Sequence, residues 1–399
     1  MTKTVQKSKA RDMTQGSIWK QLLLFSLPLM AGNLFQQLYN TVDSIVVGNF
    51  VGKEALAAVG SVGPIINSLI GFFMGLSTGA GVIISQYYGA KADEKVSRTV
   101  STTLVMTFFL SIVFTILGIF ITPYMLRMMS TPNDVIRESA TYLKIYFGGV
   151  AGLMFYNMGS GVLRAVGDSR HPLYFLIFSS LLNVVLDWYF VAVLHRGVPG
   201  AAYATFLAQG LSAVLSFGVF LLELRRIPER SNGLFRFGEL RAMTRVALPS
   251  ILQQSTVSIG MMLVQSVVNG FGTQILAGFS AAARIESLCI VPMAAISNAL
   301  SSYTAQNIGA EKPERVPQGY RAANRMIVLI SVLLCVLLEL FRTPIIAMFL
   351  DAAPSPETVA TGEHYLQFIG FFFCFIGFKM AVDGILRGAG DMKMFTIAN

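Results

Sequence analysis

Apolar residues run along this chain in long blocks separated by short polar stretches. The blocks fall roughly at 17–47, 54–87, 95–121, 134–163, 172–194, 200–225, 240–269, 275–307, 315–342 and 358–387, and an eleventh begins near Lys393. A helix needs about 20 mostly apolar residues to cross the hydrocarbon of a bilayer. The pattern therefore predicts a polytopic, all-α membrane protein. Many blocks are longer than a straight crossing requires, which implies tilt or extension beyond the hydrocarbon. Composition agrees: 54% of residues are hydrophobic, 13% are charged, and mean hydropathy is +0.62. Globular domains carry about 25% charged residues, and a water-soluble chain could not hide this much apolar surface.

The net charge of +9 invites a nucleic-acid reading, but the positions of the basic residues argue against it. With the N-terminus inside, 22 of the 30 Lys and Arg fall on the inner face, six fall outside, and Arg284 and Lys379 lie within spans. This asymmetry predicts a cytoplasmic N-terminus in a cytoplasmic (inner) membrane. It explains the charge as topology plus attraction to anionic lipid. The three cysteines all sit in apolar blocks, without disulfide or zinc spacing.

The chain also repeats itself. QYYGAKADEKV (Gln86–Val96) matches QNIGAEKPERV (Gln306–Val316) at an offset of 220. GVLRAVGD (Gly161–Asp168) matches GILRGAGD (Gly384–Asp391) at 223, and Leu27-Pro28 matches Leu248-Pro249 at 221. Tyr142-Leu143 matches Tyr365-Leu366, again at 223. Matches in order at a nearly constant offset mark a duplication. Six spans per half is an even number, so the halves face the same way, related by an axis along the membrane normal with a cavity between them. The expected organisation is an N-terminal lobe over 1–228, a cytoplasmic linker over 229–239 and a C-terminal lobe over 240–399. By offset Asn399 corresponds to Leu176. The second lobe is thus expected to be truncated to four helices and the start of a fifth, and the chain reads as a fragment.

No catalytic constellation stands out, so the chain is not expected to be an enzyme or to need a cofactor. The acids within spans are more informative. A carboxylate in hydrocarbon costs at least about 2.5 kcal/mol, so Asp43, Asp187, Glu286, Glu339 and Asp383 each call for an offset. Asp43, Asp187 and Thr205 lie five to seven residues below the outer ends of the first, fifth and sixth spans, about 7–11 Å deep. Asn183 is one turn deeper than Asp187. These four form a candidate polar cluster with two physical uses. A desolvated carboxyl beside another holds a proton more tightly. Carboxylate, amide and hydroxyl oxygens also suit a hard cation such as Na⁺. Charge count leaves both open. Asp383 lies near the inner turn, where it is expected to cap or pair. Glu339 is expected to pair with Arg342. Glu286 and Arg284, two residues apart, do not share a helix face. Phe and Met are abundant, which fits a cavity for varied flat or amphipathic molecules and fits lipid-facing packing equally.

Several motifs carry a resemblance. They are SLPLM with Pro28, QQLYNTVDSIVVG with Asp43, and EALAAVG in the second span. Two LR-x-x-GD turns (Arg164–Asp168, Arg387–Asp391), LNVVLD in the fifth span and the AAYAT run in the sixth complete the set. From about Ser17 to its end, the chain resembles the multidrug and toxic compound extrusion (MATE) transporters, in their DinF-like branch. The resemblance implies twelve helices in two pseudo-symmetric six-helix lobes and antiport of substrate against H⁺ or Na⁺. It implies a cation site at Asp43, Asn183, Asp187 and Thr205, a polar shell including Tyr142 and Asn157, and a bend of the first helix at Pro28. The substrate cavity is expected to involve Gln37 and Glu286. The expected function is export of organic, cationic, amphipathic compounds by a monomer embedded in the bilayer. The alternative is a lipid-linked oligosaccharide flippase of related architecture. That reading predicts a strongly basic cavity, whereas only Arg284 and Lys379 are deep cations.

Overall fold

A computed structural model describes residues 11–51, 53–129, 131, 135–226, 233–350 and 354–399, with side chains left undescribed at 39–49, 53–57, 219–220 and 222–226. All regular structure among them is helical: α1 (Ile18–Phe50), α2 (Lys53–Gly89), α3 (Asp93–Met128), α4 (Ile136–Gly148), α5 (Val150–Ala165), α6 (Arg170–Asp187), α7 (Gly197–Arg226), α8 (Phe237–Asn269), α9 (Thr273–Gly309), α10 (Arg315–Ala347), α11 (Pro356–Ala389) and α12 (Met392–Ala398). Nine helical stretches among the described residues are long and apolar enough to cross a membrane. Asp43 and the linker residues 229–232 lie outside what is described, Asp43 because its side chain is not.

The helices are built for lipid rather than water. On α3, Phe108, Phe109, Ile112, Ile116 and Phe120 point outward. Thr99, Thr102, Thr103, Thr107 and Ser111 are buried. Each threonine satisfies its hydroxyl on its own helix: Thr103 Oγ1 donates to the Thr99 carbonyl at 2.8 Å and Thr107 Oγ1 to the Thr103 carbonyl at 2.7 Å. Without water, every polar group must find such a partner. The polar stripe therefore turns inward and the apolar one outward, the reverse of a soluble helix.

Two spans depart from the simple reading. The block 134–163 is two helices, α4 and α5, separated at Gly149. Adjacent glycines there weaken the helix and admit a close neighbour. A Cβ on Gly149 would stand 2.8 Å from Phe206 on α7, and one on Gly152 3.0 Å from the α7 backbone at Gln209. The block 172–194 is α-helical only to Asp187 and continues as a π-helix over Trp188–Val193. α1, by contrast, runs without interruption through Pro28.

The chain divides into two compact units. One comprises Met1–Asp12 and Ala31–Ile251, the other Met13–Met30 and Leu252–Asn399. Neither is a continuous segment. The first half of α1 belongs with the C-terminal helices, where Met13, Leu22 and Phe25 share a core with Ile296, Leu300, Tyr303 and Ile327. The first half of α8 belongs with the N-terminal helices, where Met243 joins Ala80, Ile84, Val96 and Val162. The crossovers follow Met30 and Ile251, which are 221 residues apart, the offset of the two Leu-Pro pairs. The halves have exchanged equivalent half-helices.

Within each unit the repeat recurs in three dimensions. Ser77 Oγ donates to the Asn157 carbonyl at 2.8 Å, and Ser297 Oγ to the Met380 carbonyl. Gly161 and Gly384 leave the space these serines occupy. Gly167 and Gly390 both take positive φ, 90° and 75°, to end α5 and α11. The next residue then caps the following helix. Asp168 Oδ1 accepts from the Arg170 and His171 N–H at 3.0 and 3.2 Å, and Asp391 Oδ1 from the Met394 N–H at 3.1 Å. The LR-x-x-GD motif is thus a stop signal followed by a start signal. Asp168→Ala is expected to cost about 1–2 kcal/mol, measurable as a lowered melting temperature in detergent, while Asp168→Asn retains most of the stability.

Candidate functional site

The expected cluster is assembled by α6 and α7, which pack side by side in the N-terminal unit. Asp187 is fully buried, Asn183 is 2% exposed and Thr205 4%. A carboxylate at that depth needs a donor, and Asn183 supplies one from the preceding turn. With its amide group facing the carboxylate, Asn183 Nδ2 donates to Asp187 Oδ2 at 2.6 Å, and its oxygen accepts from the Thr205 N–H at 3.1 Å. The opposite orientation would set the amide oxygen against the carboxylate and leave Nδ2 with the Thr205 hydroxyl at 3.4 Å. Repulsion between like partial charges selects the first. The Thr205 hydroxyl proton goes to the Ala201 carbonyl at 3.1 Å, so this oxygen turns only lone pairs toward its other neighbours.

Asn183 and Thr205 line a cavity of about 480 Å³, counted with its opening, inside the same unit, and Asp187 lies behind Asn183 rather than in the lining. Its polar lining comes from Gln36 on α1, Tyr156 on α5, Ser179, Ser180 and Asn183 on α6, and Thr205, Gln209 and Ser212 on α7. Among the described residues, no basic or acidic side chain lines it. The α5–α7 approach at Gly149 and Gly152 sets the register that brings Thr205 and Gln209 to this wall. Beyond Asp187 the helix widens into its π-turns, a feature often found where a helix serves a function.

The other expected residues are placed as follows. α1 contributes Gln36 to the cavity, and Gln37 is not among the lining residues. Tyr142 is buried in the apolar core and stacks on Tyr146, with ring centroids 6.5 Å apart. Asn157 donates from Nδ2 to the Leu153 carbonyl of its own helix at 2.8 Å. In the C-terminal unit Glu286 accepts the Tyr365 hydroxyl at 2.5 Å, and Arg284 points elsewhere and is exposed. Glu339 and Arg342 form their ion pair at 2.8 Å. The serine and glutamine lining was missed although its signal was present: Thr205, Gln209 and Ser212 follow at i, i+4 and i+7, and Ser180, Asn183 and Asp187 at i, i+3 and i+7.

Duplicated helical units with lipid-facing apolar surfaces, and a buried polar cluster beside a cavity, define a multi-pass membrane transporter. The chain belongs to the MatE family, whose model matches residues 28–189 and 249–399. It is 35% identical over 392 residues to a probable multidrug resistance protein, YpnP, of Bacillus subtilis, covering 98% of this chain and 87% of that protein. It is 25% identical over 382 residues to a probable multidrug resistance protein, NorM, of Thermotoga maritima, covering 94% and 81%. Among solved structures it is similar to the outward-facing conformation of a multidrug resistance MATE family transporter of the MOP superfamily. That match has a TM-score of 0.89 and 28% identity over 98% of this chain and 87% of the other. The family is one of ion-coupled multidrug efflux transporters, not of enzymes.

Proposed function

We propose that this protein is an antiporter that exports organic, amphipathic cations in exchange for H⁺ or Na⁺, with Asp187 as the coupling carboxylate. The observation that carries the proposal is the full burial of Asp187 against Asn183, which lines a polar cavity together with Thr205. A loaded cation neutralises the carboxylate and its loss restores the charge, so occupancy changes the cost of closing the cavity. Asp43, on α1, is assigned to the same cluster by its depth in the sequence. Pro28, two residues before α1 leaves the C-terminal unit, is the proposed hinge of that helix. Glu286, held by Tyr365, is proposed to meet cationic substrate from the C-terminal unit. The lining among the described residues, neutral and rich in hydroxyl and amide oxygens, supports a cationic cargo over a polyanionic lipid-linked glycan.

The test is efflux of a fluorescent cationic dye from vesicles containing the protein, under an imposed pH gradient or an imposed Na⁺ gradient. One of the two is expected to drive efflux and the other not. Efflux that responds to neither gradient overturns antiport.

A further inference from the structure

A second polar cluster lies in the C-terminal unit, on α8, α11 and α12. The Asp383 side chain is only 6% exposed. Its Oδ2 accepts from Lys379 Nζ at 2.7 Å, one turn earlier on α11, and from Gln253 Nε2 at 3.2 Å. Its Oδ1 accepts from Asn399 Nδ2 at 3.0 Å. The Lys379 ammonium also donates to Asn399 Oδ1, as does Gln253 Nε2 at 2.8 Å. The ammonium is therefore seated between a carboxylate oxygen and a carboxamide oxygen. Arg387, the next cation along α11, leaves this seat alone. Its Nε donates to the Asp383 carbonyl at 3.3 Å and its guanidinium to Ser297 Oγ at 3.1 Å.

Three features separate this cluster from an ordinary helix ion pair. A Lys preceding an acid by four residues is the less favourable order on a helix, so the placement does not serve α11 itself. The lysine side chain is 46% exposed while the acid is enclosed, so the lysine is the removable partner. The fold does not require the charges either. At the repeat offsets the N-terminal half has Tyr156 for Lys379, Ser160 for Asp383 and Gly32 for Gln253. Tyr156 lines the N-terminal cavity, so Lys379 occupies the equivalent place in the second unit. Carboxylate and carboxamide oxygens around one positive charge are the donor set of a hard monovalent cation.

We propose that Asp383 and Asn399, steadied by Gln253, form a monovalent-cation seat in the C-terminal unit, and that Lys379 fills it with its own ammonium. This unit then carries a tethered cation, and free Na⁺ enters only when Lys379 is withdrawn. The inference stands on the geometry of this unit and does not need the reading of Asp187.

The test is binding of radioactive Na⁺ to the purified protein carrying Asp187→Asn, which removes the N-terminal cluster's contribution. Adding Lys379→Met is expected to raise bound Na⁺ by one per chain, and adding Asp383→Asn on top to abolish the gain. No gain with Lys379→Met, or a gain that survives Asp383→Asn, overturns the proposal. Should Lys379→Met not fold, Lys379→Ala with added ethylammonium replaces it. Ethylammonium is expected to restore its melting temperature and tetraethylammonium is not. Failure of ethylammonium, or equal rescue by both ions, likewise overturns it.

Discussion

An Asp187→Asn variant is expected to reach the membrane folded and to lose gradient-driven export by at least about tenfold, the equivalent of ~1.4 kcal/mol of lost coupling. The substitution keeps the shape of the side chain and an oxygen that can still accept from Asn183, now 2.6 Å away. It removes the charge that attracts a proton or a Na⁺ into a fully buried position. Removing a buried charge relieves a desolvation cost, so the melting temperature is expected to hold or rise while transport falls. Those opposite directions are what a purely structural role would not produce. The measurement is the initial rate of dye efflux from vesicles, beside thermal unfolding in detergent. Undiminished efflux would move the coupling site elsewhere. Thr205→Val, which removes the lone-pair oxygen facing the cluster, is a companion change at the same wall.

Gly79→Val is expected to give the largest loss of stability, about 3 kcal/mol. A Cβ at Gly79 would meet the Ala247 Cβ at 2.6 Å, the Met243 carbonyl at 2.6 Å and the Ala247 nitrogen at 2.8 Å. Two of these atoms are backbone and cannot rotate away. The first half of α8 would be pushed off α2, and with it Met243 from its core and Glu239 from Thr99, whose hydroxyl proton it shares with the Lys95 carbonyl, at 3.1 and 2.9 Å. Gly63→Ala on the same helix is the control. A Cβ there has nothing within 4 Å, and Ala is the better helix former, so this variant should melt at or slightly above the parent's temperature. Equal melting of the two variants would show that close α2–α8 contact does not hold the unit together.

The spans were legible because hydrocarbon imposes one rule on every residue it touches, and the blocks record it directly. Neighbours were not legible in the same way. Hydropathy says that residues 237–269 form a membrane helix, but not that Met243 and Ile251 pack with the N-terminal helices. The division of α4 from α5 had a signal in Gly148-Gly149, overridden by the surrounding apolar residues. The π-helix after Asp187 had none, since Trp188–Val193 is as apolar as any α-helical run. At the site, Asn183 and Asp187 were readable because polar groups in hydrocarbon are costly and four residues bring them to one face. Their serine and glutamine neighbours follow the same spacing but cost less to bury, and so drew less notice. Lys379 and Asp383 also stand at i and i+4. Their spacing alone marks a deep cation and an acid near the inner turn, and only the fold adds Gln253 and Asn399.

The exchange of half-helices bears on how the protein is made. Translation proceeds from the N-terminus, yet the N-terminal unit has no complete core until residues 237–251 have left the ribosome. The first half of α1, made well before them, waits for α9 and α10 before Leu22 and Phe25 find their neighbours. The nascent chain must therefore carry residues 13–30 without their final packing until α9 and α10 are made. Connectivity of this kind is what fusion of an arm-exchanged homodimer would leave behind. It also means that cutting the chain at the linker would separate each half from the helix that completes it.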